Sequence, residues 1–84
     1  MKRSLIVYYR EGCHLCELMA ASLFQFQEEL EYEIKQIDID TDSEITAEEQ
    51  ARYNVDVPVV TYKDEVIFYH FFDETELRKA LAND

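Results

Sequence analysis

The sequence predicts an α/β domain built on a mixed four-stranded sheet, in the order strand, helix, strand, helix, strand, strand, helix. Three observations carry that prediction. A continuous apolar run, Ser4 to Tyr9, is followed after a short break by a helical repeat of apolar residues. Two β-rich runs, Val59 to Tyr62 and Val66 to Phe71, are separated by a turn-length segment. Two capping patterns, Thr46 with Glu49 and Asp73 with Glu76, mark helix starts before and after those runs. The 84 residues suffice for one modest core, so a single domain over 1–84 is expected.

Each element has its own justification. Ser4 to Tyr9 is apolar without alternation, which fits a strand covered on both faces at the centre of the sheet. Leu15, Leu18, Met19, Ser22, Leu23, Phe26 and Leu30 recur at helical spacing, with Glu17, Gln25, Glu28 and Glu29 mostly opposite. The next strand lies within Tyr32 to Asp40. Its alternation slips: Tyr32 and Ile34 share one phase and Ile37 and Ile39 the other, which predicts a bulge or a later strand start. The Thr46 capping box opens a short helix to about Tyr53, and Asn54 stands where a left-handed C-cap residue is expected. The turn Lys63-Asp64-Glu65 lacks glycine, so Asp64 is expected to take positive φ. Asp73 opens a last helix through about Leu81. A right-handed crossover makes the first two strands parallel, and the last two form an antiparallel hairpin. Gly12 and Pro58 are the only residues of their types, so both positions are expected to matter to the backbone.

Composition narrows the function. Hydrophobic residues make up 48% of the chain, with six Tyr, five Phe and no Trp, so aromatics supply much of a packed core. The formal net charge of −11 repels phosphates, which excludes nucleic acid and anionic membranes and fits a basic or neutral protein partner. No apolar stretch approaches membrane-spanning length. Met1-Lys2-Arg3 is basic, but the apolar run after it ends at Arg10-Glu11, too short for a secretory leader. A reducing cytoplasm is therefore expected, where paired thiols are more often catalytic than structural.

The chemistry-bearing motif is Cys13-His14-Leu15-Cys16, which holds both cysteines of the chain. At i and i+3 of a helix start they share a face, one turn apart, and are near enough to bridge. The helix start supplies unpaired N–H groups and a positive dipole end, both of which favour thiolate. The pattern reads as dithiol–disulfide chemistry. A metal is the rival reading, with His14 and His70 joining the cysteines. A structural zinc site needs two convergent pairs and the chain has one, so no metal site is expected. Asp38, Asp40 and Asp42, with Glu49 beyond, superficially resemble a calcium loop. Ser43 replaces the glycine such a loop requires, and they are read as solvated strand-end carboxylates. Phe68, Tyr69, Phe71 and Phe72 are read as core, with part of the cluster exposed near the active-site edge to receive an apolar partner.

Three segments carry a family resemblance: Tyr8-Tyr9-Arg10-Glu11-Gly12-Cys13-His14-Leu15-Cys16, Ile37-Asp38-Ile39-Asp40, and Arg52-Tyr53-Asn54-Val55-Asp56-Val57-Pro58-Val59. In this order they resemble the glutaredoxins of the thioredoxin-fold superfamily, most nearly the short bacterial glutaredoxin-like proteins. The resemblance implies a thioredoxin/glutaredoxin-like fold and thiol–disulfide oxidoreductase activity on protein or mixed disulfides. It implies that Cys13 attacks and Cys16 resolves, that Pro58 is the cis-proline facing the site, and that Val57 offers backbone groups to an extended substrate. Arg10 occupies the place of a lysine near the thiolate, and Gly12 and His14 complete the thiolate's surroundings. The chain departs from the family where His14-Leu15 replaces the usual Pro-Tyr and where His70-Phe71-Phe72-Asp73 stands in place of Gly-Gly. No bound cofactor is implied; the electron donor expected is glutathione or a reductase, acting on a monomer. Two alternatives stand beside this reading: a catalytically weak interaction module of the same fold, and a metal-binding Cys-x-x-Cys protein.

Overall fold

A computed structural model describes residues 3–82; Met1 and Lys2, the basic start considered above, and Asn83 and Asp84 lie outside the described residues. The chain forms β1 (Arg3–Tyr9), α1 (His14–Leu30), β2 (Tyr32–Asp38), α2 (Ala47–Tyr53), β3 (Val59–Tyr62), β4 (Glu65–Tyr69) and α3 (Glu74–Ala82). The strands make one mixed sheet in the order β2-β1-β3-β4. The pair β1–β2 is parallel, while β1–β3 and β3–β4 are antiparallel. The element order and the mixed sheet predicted from the sequence are both present.

The apolar run of β1 is explained by its central place. Leu5 and Val7 pack with Met19 and Leu23 of α1 and Leu77 and Leu81 of α3. Ile6 and Tyr8 point the other way, to Ile37, Ile39, Val59 and Tyr53 of α2. Helices α1 and α3 therefore cover one face and α2 the other, which is why no polar alternation survives in β1. Tyr8 and Tyr53 pack with ring centroids 4.6 Å apart, and burial, with Glu49 nearby, pushes the Tyr8 hydroxyl up to about 12. The Tyr32 hydroxyl donates to the Leu23 carbonyl, and burial likewise raises it to about 12.

The phase slip in β2 has a different cause from the one expected. Its pairing with β1 runs residue for residue from Tyr32 to Asp38, with neither a bulge nor a delayed start. Tyr32 and Ile34 pack under α1 and α3, whereas Ile37 and Ile39 pack under α2. Different faces are covered at the two ends of the strand, so the apolar phase switches on an unbroken ladder. The irregular pairing lies instead between β3 and β4, at Val60–Thr61.

Local signals near the turns were partly right. Thr46 and Glu49 form the reciprocal capping box of α2, with 3.0 Å hydrogen bonds in both directions. Asp73 Oδ1 accepts from the Glu76 amide at 3.0 Å at the start of α3. Asn54, expected to be left-handed, is right-handed helical at φ −53°. Its carbonyl and side-chain oxygen are instead turned to Arg10. The β3–β4 turn places both Lys63 and Asp64 at positive φ, 53° and 67°. A two-residue hairpin whose twist matches its strands requires both.

Candidate active site

Cys13 is the N-cap residue of α1, with extended backbone at φ −95° and ψ 110°. The preceding Gly12 adopts φ +75°, a conformation open to glycine at little cost, and it turns the chain from β1 into the helix. As N-cap, Cys13 uses its sulfur where serine or aspartate would use oxygen: the Cys16 amide donates to Cys13 Sγ at 3.1 Å. The two sulfurs are bonded, across a Cα–Cα separation of 5.2 Å. Cys13 is half-buried and Cys16 buried, so Cys13 is the more exposed residue of the pair.

A crevice of about 170 Å³ opens beside the pair, between α1 and the ends of β1 and β2, lined among others by Val7, Tyr9, Ala20 and Gln36. Glu11 and Glu17 also border it. Partial burial, then the charges of Asp38, Glu11 and Asp42, push the Tyr9 hydroxyl above its ordinary pKa. His14 is exposed, with Nδ1 3.8 Å from the Glu17 carboxylate.

Arg10 lies in the same crevice, and its guanidinium is engaged within the protein. Nε donates to Asp40 Oδ2 at 2.8 Å and Nη2 to Oδ1 at 3.1 Å; Nη1 donates to the Asn54 carbonyl at 3.3 Å. The bidentate pair holds the Asp40 carboxyl below its ordinary value. Arg10 thus ties the cysteine loop to the segment that leads to Pro58. Asp40, read from the sequence as a solvated carboxylate, and Asn54, read only as a helix cap, are instead the partners of Arg10. They lie far from Arg10 in sequence, and only the β1–β2 register, extended by the Ile39 amide donating to the Tyr9 carbonyl at 2.9 Å, brings Asp40 alongside it. Asp38 and Asp42, read as solvated, each accept a backbone amide two residues on, at 2.9 and 2.8 Å, and shape this loop.

The Val57–Pro58 peptide is cis. Tyr8 pairs with Val59, so Pro58 stands at the sheet end from which β1 feeds the cysteine loop. The Pro58 carbonyl accepts from the His70 amide at 2.8 Å. The Val57 amide and carbonyl have no hydrogen-bond partner among the described residues. His70 follows β4 at φ 67°, with Nε2 3.3 Å from the Val55 carbonyl and 3.8 Å from Asp56. Among the described residues, no three His, Cys, Asp or Glu side chains converge closely enough to hold a metal. No helix of the described residues is long and apolar enough to cross a membrane.

A mixed sheet with a Cys-x-x-Cys pair at the mouth of its first helix and a cis-proline at the same sheet end defines a thioredoxin-fold protein. Comparison narrows the class: residues 4–82 match the model of the glutaredoxin-like domain (DUF836), and the chain belongs to that family. A protein of Nitrosomonas europaea solved by NMR is 35% identical, with a TM-score of 0.81 over 95% of this chain and 92% of that one. An X-ray structure from X. campestris is 28% identical, with a TM-score of 0.70 over 95% and 97%. The thioredoxin of Fasciola hepatica shares the fold at 20% identity, with a TM-score of 0.58 over 98% of this chain and 80% of that one. No curated protein sequence matches the chain.

Proposed function

We propose that the chain is a cytoplasmic thiol–disulfide oxidoreductase that reduces protein or mixed disulfides through Cys13 and Cys16. One observation carries the reading: Cys13 Sγ caps α1 and receives the Cys16 amide, while its disulfide partner lies buried one turn deeper. A sulfur in that place gains an N–H donor and the positive end of the helix dipole, both of which stabilise thiolate. In the reduced protein, Cys13 thiolate attacks one sulfur of the substrate disulfide. The other substrate sulfur leaves as thiolate and takes a proton from water. Cys16 gives its proton to water and attacks Cys13 Sγ in the mixed disulfide, releasing the second substrate thiol and forming the bridge. The protein dithiol supplies both electrons. A thiol donor, glutathione or the dithiol of a reductase, returns them. Val57 supports the same reading, because its open backbone groups suit an extended segment beside Pro58. Arg10 holds the segment before Val57 in position through Asn54, and the protein acts as a monomer without a bound cofactor.

Cys16→Ser removes the resolving step, so it should accumulate a mixed disulfide with a model peptide disulfide, visible by mass spectrometry under non-reducing conditions. Cys13→Ser should trap none. Equal trapping by the two variants would overturn Cys13 as the attacking thiol, and trapping by neither would end the proposal.

A further inference from the structure

We infer that the substrate of this site is an extended, basic polypeptide that places an apolar side chain on an aromatic strip beside Pro58, and that glutathione is a poor substrate. The inference rests on the dithiol reading, adds the identity of the segment it acts upon, and makes the dithiol of a reductase, not glutathione, the electron donor.

The strip arises because α2 is short and lies over β1 and β2. The core beneath it contains Tyr8, Ile37, Ile39, Tyr53 and Val59, with no residue of β4. On the edge strand β4, Tyr69 lies opposite Val59 and Val66 opposite Thr61, so both face the α2 side beyond the helix's reach. Tyr69 is 52% exposed, Phe71 68% and Val55 79%, high values for such side chains. His70 links them: its ring packs edge-on against Tyr69 and lies near Phe71, with centroids 4.9 and 6.3 Å away. Its Nε2 meets the Val55 carbonyl, and its amide is bonded to Pro58. The strip is therefore continuous with the Val57 edge where the extended segment would pair. A polypeptide bonded along Val57 sends alternate side chains to one side, and one of them reaches the aromatics.

Charge selects the occupant. Basic side chains of the cysteine loop, α2 and the β4 end each lie beside a carboxylate: Arg10 beside Asp40, His14 beside Glu17, Arg52 beside Glu48 and His70 beside Asp56. Glutathione is a small acidic tripeptide with two carboxylates and no large apolar side chain. It would find no basic group among these without a carboxylate beside it, and it has nothing to set on Tyr69 or Phe71. A basic segment meets a protein of net charge −11, which favours its approach.

The test is single turnover with pre-reduced protein freed of reductant. The substrates are hydroxyethyl disulfide, oxidised glutathione, a peptide disulfide whose cysteine is flanked by Lys and Leu, and its Glu and Ser counterpart. Each rate is divided by that of dithiothreitol with the same disulfide, which removes intrinsic reactivity. The Lys–Leu peptide should exceed both the Glu–Ser peptide and oxidised glutathione by about tenfold, and Phe71→Ser or Tyr69→Thr should bring the peptide ratio toward one. Equal peptide rates, or oxidised glutathione reacting as fast as the Lys–Leu peptide, would overturn the substrate class while leaving the dithiol chemistry standing. Failure to reduce even hydroxyethyl disulfide would overturn the dithiol reading and this inference with it.

Discussion

Arg10, which the family resemblance places near the thiolate, borders the same crevice as Cys13 and also ties separate segments of the chain together. Its guanidinium is fixed by Asp40 and Asn54, so its charge is locally matched while its position holds two loops together. That arrangement has a pH signature. Hydrogen bonds from Arg10 hold the Asp40 carboxyl below its ordinary value, so as pH falls the unfolded chain takes up that proton first. The pair's contribution is complete above the ordinary carboxylate pKa of about 4 and is lost as pH drops through the lower folded value. The urea midpoint of the protein should therefore fall below about pH 4, and Asp40→Asn should lose part of that dependence. Glu49 should supply another part, since the Thr46 backbone amide and hydroxyl hold its carboxyl down too. An unchanged acid limb in Asp40→Asn would show that the pair does not couple to folding. The Cys13–Cys16 pairing was legible at this scale because two thiols three positions apart at a helix start lie near enough to bridge. The partners of Arg10 were not, because they depend on strand register.

At the scale of elements, signals confined to a few residues survived best. The Thr46–Glu49 box and the β1 run were readable because capping and two-sided burial leave local marks. The β2 slip was visible but misassigned, since only the packed structure shows that its two ends bury different faces. Asn54 was misread because a tertiary contact with Arg10 outweighs a modest intrinsic preference. The end of β4 was placed two residues late, at Phe71, because aromatic residues continue past the last paired residue, Tyr69. Helix α1 carries the Cys pair, so the chemistry depends on its anchoring. Leu23, fully buried beneath it among Leu5, Val7 and Leu77, is the natural probe. Leu23→Ala should cost about 3 kcal/mol of unfolding free energy by denaturant titration. A loss below about 1 kcal/mol would mean that α1 is not held as described.

The whole molecule combines an apolar, aromatic-rich core with a strongly acidic surface. Nineteen Asp and Glu against eight Lys and Arg leave a net charge of −11 on a 10.0 kDa chain. Such a surface repels itself, and the compact state suffers more than the unfolded one. Raising ionic strength from about 0.01 to about 0.5 M should therefore increase the thermal midpoint, because screening shortens the reach of the repulsion. A midpoint that falls with sodium chloride would indicate that pairs such as Arg10–Asp40 and Arg78–Glu29 outweigh the repulsion. Fold and site meet in one place, where a strand turns through Gly12 into a helix capped by a sulfur. The pH dependence of iodoacetamide alkylation of the reduced protein, resolved by peptide mass, tests that arrangement most directly. Cys13 should react first, with a midpoint below the ordinary thiol value of about 8.5, and Cys16 more slowly. Equal rates at the two positions, with both midpoints at or above about 8.5, would contradict it.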